Sequence, residues 1–230
     1  MWYKVIFLLF CLSAIVGCDQ IEQERKTVSQ KLPSKFDEGK IYDNRYIQKY
    51  FGLTIPFGEG WQVLSEEQIE FAELQHKELL IKPDNNTGYY YDDEEDKSNT
   101  PNIKKTTLLV LFKYPIDSVV AYNPFFTANV HRIQKYDNMD TATQYLSQIE
   151  ESLYYDYSAE RTDYNEGYKS YVIGKNNVPM LGTTLEINGV EVQQEYFAII
   201  KRNFVISFVI SYQTAAEKAE LRAIIDKINL

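Results

Sequence analysis

Two segments of this chain have no polar face. Thr107–Tyr114 (TLLVLFKY) and Phe204–Tyr212 (FVISFVISY) place apolar residues at nearly every position. Successive side chains of a strand point to opposite faces of its sheet, so such strands must be covered on both sides. They belong at the centre of a sheet with helices on each face. That requirement sets the fold class as α+β, a mostly antiparallel β-sheet flanked by helices in a three-layer α/β/α sandwich.

The remaining elements agree with this layering. Tyr46–Ile55 is rich in β-formers and runs into Pro56-Phe57-Gly58-Glu59-Gly60, a turn signal, before Trp61–Leu64. Two strands around a turn are expected there. Ser65-x-x-Gln68 is a capping box, and Ile69, Ala72, His76, Leu79 and Leu80 follow at helical spacing until Pro83. Residues 83–105 are polar, carry the run Tyr89-Tyr90-Tyr91, and are read as a loop. Phe125–Ile133 is the next strand. Thr141-x-x-Gln144 caps a helix whose Ala142, Tyr145, Leu146, Ile149 and Leu153 share one face. Tyr168–Ile173 is a strand, and Thr183–Phe197 a hairpin around Asn188-Gly189, because both turn residues tolerate positive φ. Thr214-x-x-Glu217 caps a last helix with Leu221, Ile224, Ile225 and Ile228 in a stripe.

The N-terminus reads as an address. Lys4 precedes the twelve-residue apolar run Val5–Val16, then Gly17-Cys18-Asp19. As a helix that run rises about 18 Å, short of the roughly 30 Å hydrocarbon core. It fits the apolar region of a secretory signal peptide better than a spanning helix. Ile15-Val16-Gly17-Cys18 resembles the lipobox of bacterial lipoproteins, in which the cysteine thiol receives diacylglycerol and the signal is cut before it. The resemblance implies lipidation at Cys18, a signal peptide over 1–17 and a membrane anchor outside the cytoplasm. An ordinary signal peptide with a chance cysteine, or an uncleaved anchor, is the alternative. Asp19 resembles the residue that keeps such lipoproteins in the inner membrane of enteric bacteria. Residues 18–41 are expected to be a lipidated, flexible polar tether, and 42–230 a single domain.

Charge and cysteine use exclude several functions. The chain has 24 Lys+Arg against 33 Asp+Glu, a net charge of −9, which argues against nucleic acid as a partner. Loss of residues 1–17 removes only Lys4 among the charged residues, so fatty acids and not a basic patch would hold the body at a membrane. With Cys11 removed and Cys18 lipidated, neither a cysteine nucleophile nor a disulfide is left.

The opening Gly52-Leu53-Thr54-Ile55-Pro56 followed by Trp61, and the ending Tyr196-Phe197, Phe204–Tyr212 and the Thr214–Ile228 helix, resemble the PsbP-like family, which includes DcrB-like bacterial lipoproteins. The resemblance spans about 45–230, although loop 83–105 is longer than the pattern. It implies a non-catalytic domain that binds or stabilises an envelope complex, and it carries no catalytic or ligand residue with it.

Few side chains suggest chemistry. Asp84, Asn86, Asp92 and Glu95 fall at positions 1, 3, 9 and 12 of a calcium loop, but Tyr89 occupies the position that needs glycine. A solvated acidic loop is the expectation, with weak cation attraction by Asp92–Asp96. His76 on the first helix and His131 in a strand are read as boundary histidines. The chain has no HExxH, GxSxG, P-loop or GxGxxG pattern. Asn85-Asn86-Thr87 matches a glycosylation sequon that a bacterial protein leaves idle. The reading is a membrane-anchored envelope module with no cofactor, no metal site, no catalytic residue and a protein partner, with Tyr89–Tyr91 as the candidate contact patch. Its rivals are a small-ligand or cation-binding lipoprotein and an extracytoplasmic hydrolase.

Overall fold

A computed structural model describes residues 39–69, 105–133, 140–157, 160–162, 167–187 and 189–230, all within the compact unit Asp37–Leu230. The expectations placed on Cys18, Asp19, the tether up to residue 38, His76, Tyr89–Tyr91 and the calcium-like positions Asp84, Asn86, Asp92 and Glu95 lie outside these residues.

Strands β1 (Lys40–Tyr42), β2 (Arg45–Gln48) and β3 (Leu53–Pro56) form a small antiparallel sheet in that order. Strands β4 (Gln62–Val63), β5 (Lys105–Phe112), β6 (Phe125–Arg132), β7 (Glu160–Arg161), β8 (Lys169–Ile173), β9 (Asn176–Ile187), β10 (Val190–Lys201) and β11 (Phe204–Tyr212) form an eight-stranded sheet. Its order is β4-β5-β6-β11-β10-β9-β7, with β8 also paired to β9. Every pairing is antiparallel.

The doubly apolar strands lie where their pattern requires. Eight of the nine residues of β11 are buried, and it sits between β6 and β10 in the middle of the large sheet. Leu108, Leu109, Val110 and Leu111 of β5 are also buried on both faces, across a register shift between Thr107 and Leu109.

Helix α1 (Ala142–Tyr157) covers one face. Its Leu146 packs with Leu181, Ala198 and Val205, bordered by Ala142, Tyr145 and Ile149, and Leu153 joins Leu185 and Val192. Helix α2 (Ala215–Ile225) covers the other, lying along β11 and reaching β3. The alternation along β10 proves the layering: Tyr196 and Ala198 meet α1, whereas Glu195 and Phe197 meet Arg222 of α2. Burying an apolar stripe on each helix stabilises both layers at about 25 cal/mol per Å² of apolar area removed from water.

The three capping boxes form as read. Ser65 and Gln68 exchange bonds across a helical turn at 66–69, Thr141 and Gln144 do so before α1, and Thr214 and Glu217 before α2.

The opening differs from expectation. Tyr46–Ile55 is not one strand but β2 and β3, folded at Lys49–Gly52, where Gly52 takes φ 63° and the buried Gln48 Oε1 accepts from the Phe51 N–H at 2.9 Å. Trp61–Leu64 does not form a hairpin with it, because β4 leaves the small sheet to pair with β5. The C-terminus ties the small sheet down through reciprocal backbone bonds between Thr54 and Asn229 of 2.8 and 3.0 Å.

Candidate functional site

The described residues line a pocket of about 250 Å³ between Lys218 and Arg222 of α2 and the large sheet, where Lys169 of β8, Met180 and Gly182 of β9 and Glu195 of β10 face it. Its floor is made where Gly182 of β9 stands opposite Glu195 of β10. A Cβ at position 182 would come within 2.6 Å of Thr162 Oγ1, so the glycine is what lets the Thr162 side chain lie against the strand there.

Glu195 is the centre of the site. It is 4% exposed in the middle of a strand, an arrangement that would be prohibitive for an unpaired carboxylate. Lys218 Nζ lies 2.9 Å from Oε1, and the Tyr212 hydroxyl donates to the same oxygen at 3.1 Å. Arg222 Nε lies 2.6 Å from Oε2, an ion contact whose angle falls outside hydrogen-bond geometry. Lys218 and Arg222 are four residues apart, hence on one face of α2. The guanidinium is further held over the Tyr171 and Phe197 rings, at 4.1 and 5.1 Å from their centroids, and donates to Met180 Sδ at 3.0 Å.

Burial acts to raise the Glu195 pKa, but hydrogen bonding and the charges of Arg222 and Lys218 outweigh it and hold the carboxyl below its usual range. Lys218 is the mirror case. Burial acts to lower its pKa, yet the Glu195 carboxylate and Tyr212 leave it raised. The Tyr212 hydroxyl is raised by burial and then by the Glu195 charge. All three groups keep one protonation state across neutral pH. The cluster holds fixed charges against one another, and it is poorly suited to general acid–base work, which needs a group poised near the working pH.

A second polar group lies on the opposite face, under α1. Tyr122 is hydrogen-bonded to the buried Ser211, Tyr145 donates to Ser207 at 3.2 Å, and Tyr196 donates to Gln194. Burial pushes the Tyr122 hydroxyl up to about 12. Between Leu181 and Leu185 on this face, Thr183 is 2% exposed and its Oγ1 has no hydrogen-bond partner among the described residues.

His131 lies on the α1 face too, with its ring 6.3 Å from that of Tyr145. It is therefore across the sheet from Glu195 and does not line the pocket. Among the described residues no three His, Cys, Asp or Glu side chains gather to hold a metal, and no helix is long and apolar enough to cross a membrane. None of the pocket residues was singled out from the sequence. The signal available was Lys218 and Arg222, two cations at helical spacing beside an apolar stripe that Leu221, Ile224 and Ile225 bury.

No protein-family model and no curated protein matches the chain. Among solved structures it is similar to the cyanobacterial PsbP (CyanoP) of Synechocystis sp. PCC 6803. That match has 11% identity over 81% of this chain and 91% of that one, with a TM-score of 0.46. It is also similar to LpqN of Mycobacterium tuberculosis, involved in cell envelope biogenesis. Here identity is 12% over 77% of this chain and 82% of the other, at a TM-score of 0.40. A Pseudomonas aeruginosa protein of unknown function matches at 11% identity over 51% of this chain and 78% of its own, with a TM-score of 0.37. These likenesses concern the α+β arrangement of strands and helices, and transfer no activity.

Proposed function

We propose that this chain is a lipid-anchored bacterial envelope protein, held outside the cytoplasm through Cys18, whose domain is a non-catalytic binding module with a protein partner. The observation that carries the binding role is the Glu195 cluster: a pocket whose titratable groups are locked in fixed charge states by one another offers recognition rather than proton transfer. The lipobox sequence Ile15-Val16-Gly17-Cys18 supports the location, and the net charge of −9 argues against a nucleic-acid partner. A second reading, a small-ligand or cation-binding lipoprotein, rests on the pocket of about 250 Å³, which is smaller than the roughly 300–1,000 Å³ of common ligand sites and has room only for a small group.

In-cell crosslinking of the anchored chain, followed by mass spectrometry, tests the module. A dominant envelope protein, captured by the wild type and absent from a Cys18→Ala chain, is the expected result. No capture above background would overturn the partner reading.

A further inference from the structure

We infer that one end of the domain, where the β2–β3, β8–β9 and β10–β11 turns meet the C-terminus of α2, is a docking surface for anionic lipid headgroups. The inference deepens the envelope reading above and rests on its membrane location.

Strand pairing brings the turns together. Lys201 of β10 stands opposite Phe204 of β11, and Phe204 opposite Arg132 of β6, so these three strands meet at one end of the sheet. Met180 of β9 stands opposite Phe197 of β10, which sets the start of β9, and with it the Lys175 turn, beside the end of β10. The β2–β3 turn joins them. Tyr50 and Phe51 pack edge-on against Phe204 with centroids 6.1 and 5.4 Å away, and Lys201 Nζ donates to the Phe51 carbonyl at 2.7 Å. The chain beyond α2 arrives here too, since the Ile228 carbonyl oxygen lies 3.4 Å from where a Cβ on Gly174 would stand.

Charge is the second observation. Lys49, Arg132, Lys175, Lys201, Arg202 and Lys227 gather at this end. None of them has an ion-pair partner among the described residues, whereas Arg45, Lys113, Lys218 and Arg222 each face a carboxylate. The Arg202 guanidinium lies over the Tyr50 ring, 5.1 Å from its centroid, which orders the side chain and leaves its charge in place. Against these six stand Asp226, which accepts from the Tyr171 hydroxyl, and Asp140 just before α1. A chain of net charge −9 thus presents a positive end, and the field of such a face draws it to an anionic surface within a Debye length.

The path of the chain favours lipid over an acidic protein. Lys40 of β1 pairs with Ile47 of β2, so the chain enters the domain beside the Lys49 turn. Residues 19–38 separate that entry from Cys18, and a coil of that length reaches about 25 Å. An anchor at Cys18 therefore keeps the positive end within reach of the headgroups. Fatty acids hold the chain at the bilayer, and the turns orient the domain on it.

Lysine reactivity tests the surface. The full chain, purified in mild detergent, is reconstituted on vesicles of phosphatidylcholine or of an equal mixture with phosphatidylglycerol. Acetylation by a water-soluble reagent is then followed at each lysine by mass spectrometry. The exposed Lys40, Lys49, Lys175 and Lys227 should react about fivefold more slowly on the anionic vesicles, while Lys113, past the other end of β5, keeps its rate. The slowing should vanish in sodium chloride at about 1 M, where the screening length falls to about 3 Å. Joint reversal by Lys49→Glu, Lys175→Glu and Lys227→Glu, all at exposed positions, should leave the melting temperature unchanged and abolish the slowing at Lys40. Equal rates on the two vesicles, slowing that survives salt or the reversal, or equal slowing of Lys113, overturns the assignment. Slowing in native membranes but on neither vesicle would assign this end to an acidic protein and overturn it as well. Intact mass of the same preparation reports the anchor separately. A chain without diacylglycerol that still shows the lipid-dependent slowing would keep the docking surface and end the Cys18 reading.

Discussion

Arg222 Nε sits 2.6 Å from Glu195 Oε2, and this contact fastens α2 to the interior of the large sheet. An apolar pair could have joined the same layers. The carboxylate instead carries a charge into a position 4% exposed, where it survives only because two cations and a tyrosine hydroxyl answer it. Removing one partner of such a group is more disruptive than never having had it.

Glu195→Gln is expected to lower stability at neutral pH by about 3 kcal/mol, because Lys218 and Arg222 would face a neutral amide. Chemical denaturation at pH 7 measures the loss. A change below about 0.5 kcal/mol, the scale of an exposed pair, would mean the ion contacts contribute little.

The same residue sets an acid limit. Its folded-state pKa lies below the unfolded value of about 4.3. The stabilisation is therefore complete above that value and is lost as pH falls through the folded pKa. Melting temperature of the wild type should drop steeply below about pH 4, while that of Glu195→Gln declines less over the same window. Parallel curves would show that Glu195 is not the titrating group.

Thr183→Val should raise stability by about 1 kcal/mol, since it keeps the shape and removes a buried hydroxyl left without a partner. Thermal melting of the two chains decides. A loss of similar size would reveal that the hydroxyl has a partner in the native protein.

Leu146→Ala should destabilise by about 3 kcal/mol, because Leu146 is fully buried against Leu181, Ala198 and Val205 on three strands and leaves a cavity. Thr214→Ala, which removes one half of the α2 capping box, should cost about 1 kcal/mol. Denaturant midpoints at constant slope would measure both. A larger effect from the cap than from the core would contradict the packing described.

Much of the fold could be read from spacing because spacing is what layering constrains. FVISFVISY has no polar face, so β11 had to be central, and the five apolar residues from Ala142 to Leu153 had to form one helix face. Asn188-Gly189 announced its hairpin. Arg202-Asn203 joins β10 to β11 with φ of 52° and 64°, yet arginine carries no turn signal, so that hairpin escaped notice. Asp43 and Asn44 likewise turn with φ of 52° each between strands too short to show a period. The site was the least legible part. In Val192-Gln193-Gln194-Glu195-Tyr196 an acidic residue reads as an exposed strand position, and only the docking of α2 reveals that it is buried. Pairing of Glu195 with Lys218 and Arg222, 23 and 27 residues further along the chain, depends on tertiary geometry that local pattern does not encode.

The functional reading rests on location, and location rests on Cys18. Metabolic labelling with a radioactive or clickable fatty acid, read together with the intact mass of the membrane-bound chain, tests it directly. The wild type should carry label and begin at a diacylglyceryl Cys18, and Cys18→Ala should remain unlabelled and unprocessed. A Cys18→Ala chain that matures and associates with the membrane as the wild type does would contradict the anchor.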